Sequence, residues 1–144
     1  MGTNESVAVV LDAFRAVEER DEQRFLAMCH PEVEFHWPSP LPYGGTFRAA
    51  DAAVRRRPGW EETWDRLQPT EAERRMDPRV VAASEDEVVV LWRQRGVSPS
   101  GERLDSQVLG LYGVRDGKFA RAQMFYFDPA GVAGFLARAG AQDR

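Results

Sequence analysis

The order of apolar patterns along the chain predicts an α+β fold, with helices laid on one face of an antiparallel sheet. Three observations carry it: a helix-period stretch at the start, one alternating strand near residue 35, and four strand-like runs joined by tight turns in the second half. The 144 residues, 43% hydrophobic and 29% charged, suit a single globular domain spanning 1–144.

Val7, Val10, Leu11, Phe14 and Val17 recur at the spacing of one helix face, with Asn4 or Ser6 available as the N-cap. The polar stretch 18–21 breaks that helix, and a short second one is expected over 22–28. His30-Pro31 ends helical structure, because a proline disfavours helix in the residue before it. Residues 32–37 then alternate strictly, which puts Val33, Phe35 and Trp37 on one face of a strand. Pro38, Pro40 and Pro42 stop the strand, and Tyr43-Gly-Gly45 reads as a loop. Helices are expected over 49–57, closed by Arg55-Arg-Arg57, and over 60–67, where Trp60, Trp64 and Leu67 share a face; 68–77 reads as loop. Four strands follow, over 79–83, 88–95, 104–114 and 119–127, rich in β-branched and aromatic residues. Ser98-Pro-Ser-Gly101 and Arg115-Asp-Gly-Lys118 are hairpin turns, and a terminal helix is expected over 129–138.

Composition excludes several functions. One cysteine, Cys29, cannot form an internal disulfide, and a net charge of −4 lacks the basic field of a general nucleic-acid binder. No apolar run approaches the roughly 20 residues of a membrane helix, and the first residues lack a signal-peptide pattern, so a cytoplasmic setting is expected. No metal-ligand spacing, nucleophile elbow or phosphate-cradling glycine loop is present, and no cofactor is expected.

Four stretches carry a family resemblance: Asp21-Glu-Gln-Arg-Phe25 after the first helix, His30-Pro-Glu-Val-Glu-Phe-His-Trp37, Pro42-Tyr-Gly-Gly-Thr-Phe-Arg48, and Val114-Arg-Asp-Gly-Lys118 followed by Phe125-Tyr-Phe-Asp128. With the element order, they make the chain resemble the NTF2-like superfamily, in its SnoaL-like branch of polyketide cyclases and ketosteroid isomerase relatives. The resemblance implies a cone: a curved sheet wrapped around helices, with an apolar pocket at the wide end. It also implies cofactor-independent acid/base chemistry, such as cyclisation, isomerisation or epoxide opening, on an apolar or aromatic, polyketide-like metabolite. The rival reading is a non-catalytic dimer that binds a ligand or a protein partner, and a third is a structural subunit whose indoles fill the cone. The groups ketosteroid isomerases use are missing. The base position falls on Trp37, the helix tyrosine on Ala13 or Phe14, and the oxyanion acid near Gly110, so classical steroid-type isomerisation is not expected.

Strand alternation assigns Val88, Val90, Trp92 and Gln94, then Val108, Gly110, Tyr112 and Val114, then Ala120, Ala122, Met124 and Tyr126 to the inner face. Leu109, Leu111, Phe125 and Phe127 fall on the outer face, which suggests a homodimer through the sheet. Two groups are candidates for acid/base work. His36 is the strand histidine, but its parity opposes Trp37, so it reaches the cavity only if the strand twists; otherwise it faces solvent or an interface. Asp128 ends the last strand, or equally caps the terminal helix that starts at Pro129. Tyr126 and Tyr43 are candidate hydrogen-bond donors to substrate, with core packing the alternative. Trp37, Trp92, Trp64, Tyr112 and Met124 are candidate walls for a flat ligand, or plain aromatic core, and Gln94 is a candidate orienting amide.

Overall fold

The computed structural model describes residues 2–49 and 58–142. Helix α1 (Thr3–Glu18) leads through a tight break at Arg20 into α2 (Glu22–Met28), and the chain turns directly into strand β1 (Cys29–Trp37). A proline-rich loop returns as β2 (Gly45–Arg48). Short helix α3 (Trp60–Trp64) runs on as a 3-10 turn, Asp65–Leu67, and α4 (Glu71–Arg74) follows. The second half is β3 (Arg79–Ala83), β4 (Glu87–Val97), β5 (Arg103–Arg115) and β6 (Lys118–Tyr126), closed by α5 (Pro129–Gln142). The helix expected over 49–57, with its arginine run, lies outside the described residues beyond Ala49.

Among the described residues the strands form one six-stranded sheet in the order β2-β1-β6-β5-β4-β3. The last four strands are the expected antiparallel meander. The junction of β1 with β6 is parallel, with Phe35 opposite Ala122. These two strands are distant in the chain, so no hairpin dictates their relative direction. Register shifts interrupt β1 against β6, β3 against β4 and β5 against β6, and such bulges bend a sheet and increase its twist. α1 lies across the concave side, touching β3, β4, β5 and β6, and buries Val10, Ala13, Phe14 and Ala16 there.

Alternate residues of β4 and β5 are buried in the expected phase, from Val88 to Gln94 and from Val108 to Val114. On β6 the bulge between Gly113 and Val114 changes one assignment: Phe119 is buried and Ala120 only partly so. Parity counted from the turn cannot see an inserted residue. Three further differences are local. α1 starts at Thr3 behind Gly2, without a side-chain cap, so Asn4 and Ser6 lie inside it. The Ser6 hydroxyl instead bonds the carbonyl of Glu85, tying the helix to the β3–β4 turn. β2 forms within the expected loop, pairing Phe47 with Phe35. Within 68–77, Thr70 and Glu73 build a capping box that nucleates α4.

Candidate functional site

Short side chains on facing elements leave the interior of the cone unfilled. Ala13 and Ala16 of α1 face Ala122 of β6 across a cavity of about 210 Å3. Its walls are aromatic: Phe14 from α1, Phe25 from α2, Phe35 and Trp37 from β1, Trp60 from α3, Trp92 from β4, Tyr112 from β5 and Phe119 from β6, with Met124 beside them. Trp37 and Trp60 stack with centroids 6.4 Å apart and planes within 12°. Phe14 meets Tyr112 edge to face at 5.4 Å. Rings packed at these angles hold one another in place, so a flat guest meets preformed surfaces.

The charged residues that line the cavity, Arg20, Asp21, Glu22 and Glu61, come from the α1–α2 break and the start of α3, and all but Arg20 are well exposed. They mark the mouth. Arg20 spans it: its guanidinium lies 5.5 Å above the Trp60 ring, donates to Asp65 at 3.2 Å and to the Val17 carbonyl at 2.8 Å, and bonds the Gln68 side-chain oxygen. The backbone of Arg20 has φ +56°, the left-handed turn that ends α1, and this aims the side chain across to α3.

Beside the cavity runs a buried hydrogen-bond chain. Trp64 Nε1 donates to the Tyr43 hydroxyl at 3.0 Å, and the hydroxyls of Tyr43 and Tyr126 are 2.8 Å apart. Tyr126 donates to Gln94 Oε1 at 3.2 Å, and Trp60 Nε1 donates to the same oxygen at 2.7 Å. The two indoles can only donate, and Gln94 Oε1 can only accept, so the direction of every bond is determined: Tyr43 donates to Tyr126, and Tyr126 to Gln94. Burial raises the pKa of both phenols, partly offset at Tyr43 by the N–H it receives from Trp64. Tyr112 is raised in the same way, and the adjacent Trp92 indole only partly opposes the effect. All three phenols are therefore neutral across the physiological range.

Of the residues singled out by sequence, Trp37, Trp92, Tyr112 and Met124 line the cavity. Trp64 is fully buried behind them, stacked on Phe135 of α5 with centroids 6.1 Å apart. Tyr43, Tyr126 and Gln94 form the hydrogen-bond chain. His36 projects from the opposite face of β1, with Nδ1 3.0 Å from the Thr46 hydroxyl and Nε2 3.2 Å from a Glu34 carboxylate oxygen. Asp128 is exposed and caps α5: its Oδ1 accepts the Gly131 N–H at 2.9 Å. Sequence reasoning passed over Phe14, Phe25, Phe47, Phe119, Met76 and Arg20 as lining residues. For Phe14 the signal was present, since it lies on the apolar face of the first helix. For Phe47 and Arg20 nothing local distinguishes a lining residue from a loop residue.

An open sheet curved around a helix, with an aromatic cavity between them, defines a small ligand-pocket domain of NTF2-like type. The sequence profile of the SnoaL-like domain matches residues 10–122, and the chain belongs to that family. Solved structures share the fold. An NTF2-like protein from Burkholderia xenovorans is 23% identical, with 96% of this chain and 98% of that one covered at a TM-score of 0.62. A putative SnoaL-like polyketide cyclase from Jannaschia is 20% identical, with 94% of each chain covered and a TM-score of 0.68. TerC, co-crystallised with polyporic acid, is 19% identical, with 92% of this chain and 98% of that one covered and a TM-score of 0.67. No curated protein sequence matches the chain significantly.

Proposed function

We propose that the chain binds one flat, apolar or aromatic small molecule, of polyketide-like kind, in the cavity of the cone. One observation carries the reading: an aromatic wall encloses unfilled space, while the charged lining residues are confined to the mouth. The similarity to a putative polyketide cyclase and to a protein crystallised with polyporic acid supports the same ligand class. Titrating polycyclic aromatic ketones while following tryptophan fluorescence tests it, because Trp37, Trp60 and Trp92 all line the space. Saturable one-site quenching is expected, weakened about tenfold or more when Ala122→Leu fills the cavity, since displacing a guest from even part of an apolar pocket forfeits its burial. Absence of saturable quenching with every compound would overturn the reading.

A catalytic reading, by cyclisation, isomerisation or epoxide opening, rests on a separate observation: the carboxylates of Asp21, Glu22 and Glu61 line the mouth and can reach a guest that projects from it. Asp21→Asn discriminates the two, because asparagine keeps the N-cap that Asp21 provides to α2 while removing the charge. Loss of turnover with unchanged binding would favour the enzyme; unchanged binding with no turnover in the parent would favour a carrier. The same proposal includes a homodimer through the outer sheet face, where Phe125 and Phe127 are 50% and 60% exposed.

A further inference from the structure

A buried polar atom without a partner identifies the chemistry that is missing beside it. Among the described residues three buried side-chain nitrogens have no hydrogen-bond partner: His36 Nε2, Trp92 Nε1 and Gln94 Nε2. The first lies on the other face of β1, 3.2 Å from a Glu34 carboxylate oxygen but out of hydrogen-bond alignment with it. The other two share one face of β4, two positions apart, so their Cα atoms are roughly 7 Å from each other. Trp92 lines the cavity, and Gln94 is bonded to Trp60, which also lines it.

Both orphaned atoms are donors. An indole nitrogen has no other role. For Gln94 the neighbours decide the orientation of the amide: Oε1 receives the Trp60 N–H and the Tyr126 hydroxyl, and turning the amide over would set its NH2 group against two donors. Candidate acceptors nearby do not complete these bonds. The hydroxyls of Tyr43 and Tyr126 are engaged with each other and with Gln94 Oε1. The Trp92 N–H lies near enough to the Tyr112 hydroxyl to oppose part of the rise in that phenol's pKa, but it does not reach the distance and alignment of a hydrogen bond.

We infer that the cavity is built for an oxygenated aromatic ligand that presents an acceptor oxygen, of a ketone, quinone or phenolate, to Trp92 Nε1, with Gln94 Nε2 a second unpaired donor one layer behind the wall. This rests on the ligand-binding reading of the same cavity and specifies its chemistry. A bare hydrocarbon leaves both N–H groups unpaired, and an amine placed there as a donor opposes them. A site with buried donors discriminates against a guest lacking the acceptor, because that guest loses the bond and still strips the donor of water.

The test uses fluoren-9-one and fluorene, which share a flat skeleton and differ in one carbonyl oxygen, against 15N-labelled protein. The Trp92 indole and Gln94 amide cross-peaks are assigned with Trp92→Phe and Gln94→Met. Fluorenone is expected to bind about tenfold tighter than fluorene, the worth of one neutral hydrogen bond in a buried site. It is also expected to move at least one of the two cross-peaks downfield, and the corresponding variant is expected to lose the preference. Equal binding of the two compounds with both cross-peaks unmoved would overturn this inference and leave the aromatic cavity standing. Failure of both compounds to bind would overturn the cavity reading as well. Where a variant does not fold, its cross-peak is assigned in the parent protein by triple-resonance experiments, and the shift on adding fluorenone is read there.

Discussion

Gly110 and Tyr112 illustrate how one missing side chain decides the shape of the interior. A Cβ built on Gly110 would lie 2.1 Å from the Tyr112 hydroxyl, and the phenol occupies the space above that glycine. The resemblance places the family's oxyanion acid near Gly110, so a phenol from two residues along the strand fills the volume that such an acid would need. Gly110→Ala must displace a ring held by Phe14, and overpacking of this kind costs about 1–3 kcal/mol. A lowered urea midpoint, with weakened binding of aromatic ketones, is the expected outcome. Cys29 and the buried tyrosines set the alkaline limit of stability. Burial raises the Cys29 thiol to about 11, slightly opposed by Lys118, and raises Tyr43, Tyr112 and Tyr126 further still. Each group is neutral when protonated, so its folded pKa exceeds its unfolded one. Below the unfolded thiol value of about 8.5 both states hold the proton, and these groups add no pH dependence. Above it the unfolded chain ionises first, and stability falls as pH rises, first through about 11 for Cys29 and then on into the tyrosine range. Urea titrations from pH 7 to 11 are expected to be level at first and to decline from about 9. Cys29→Ala is expected to remove the early part of that decline and leave the tyrosine part.

At the scale of elements, helix ends and strand turns explain which candidates are placed where. Asp128 follows β6 directly, and Pro129 at the first helical position of α5 suits a capping aspartate before it. Its Oδ1 accepts the Gly131 N–H, and a Cβ on Gly131 would meet that carboxylate, so glycine gives the cap its room. Asp128→Ala is expected to cost about 1 kcal/mol of stability, with ligand affinity unchanged. A loss of affinity instead, at unchanged stability, would return Asp128 to the site. The same local rules made much of the fold legible. Apolar alternation marked β1, richness in β-branched and aromatic residues marked the four meander strands, and Arg115-Asp-Gly-Lys118 marked the last hairpin, where Asp116 and Gly117 take positive φ. The bulge that brings Phe119 inward escaped them, as did β2, which depends on partners in β1 more than on its own four residues.

The whole molecule has two apolar surfaces, one folded around the cavity and one facing outward. Leu109 and Leu111 of β5 and Phe125 of β6 alternate with the inner residues of those strands, and Phe127 follows just past the end of β6, so the two strands that line the cavity also build the outer face. For the proposed dimer, sedimentation of the parent at micromolar concentration is expected to give a species of twice the chain mass. Phe125→Lys together with Phe127→Lys is expected to give a monomer that still binds aromatic ketones. A monomeric parent would remove the dimer and leave the cavity untouched.

The sequence by itself determined the element order, the phase of β4 and β5, the aromatic richness of the inner face and the family resemblance. These follow from periods of 2 and 3.6 residues, which short stretches of chain carry. Only the tertiary structure decided that the rings surround open space instead of filling it. It also decided that His36 faces away beside Glu34 and Thr46, and that the hydroxyls of Tyr43 and Tyr126 are engaged with each other and with Gln94. A cavity is the volume left between side chains from α1, α2, α3 and five strands, and an unpaired donor is defined by partners that do not arrive. Neither is a property of any local stretch; both depend on how distant elements meet.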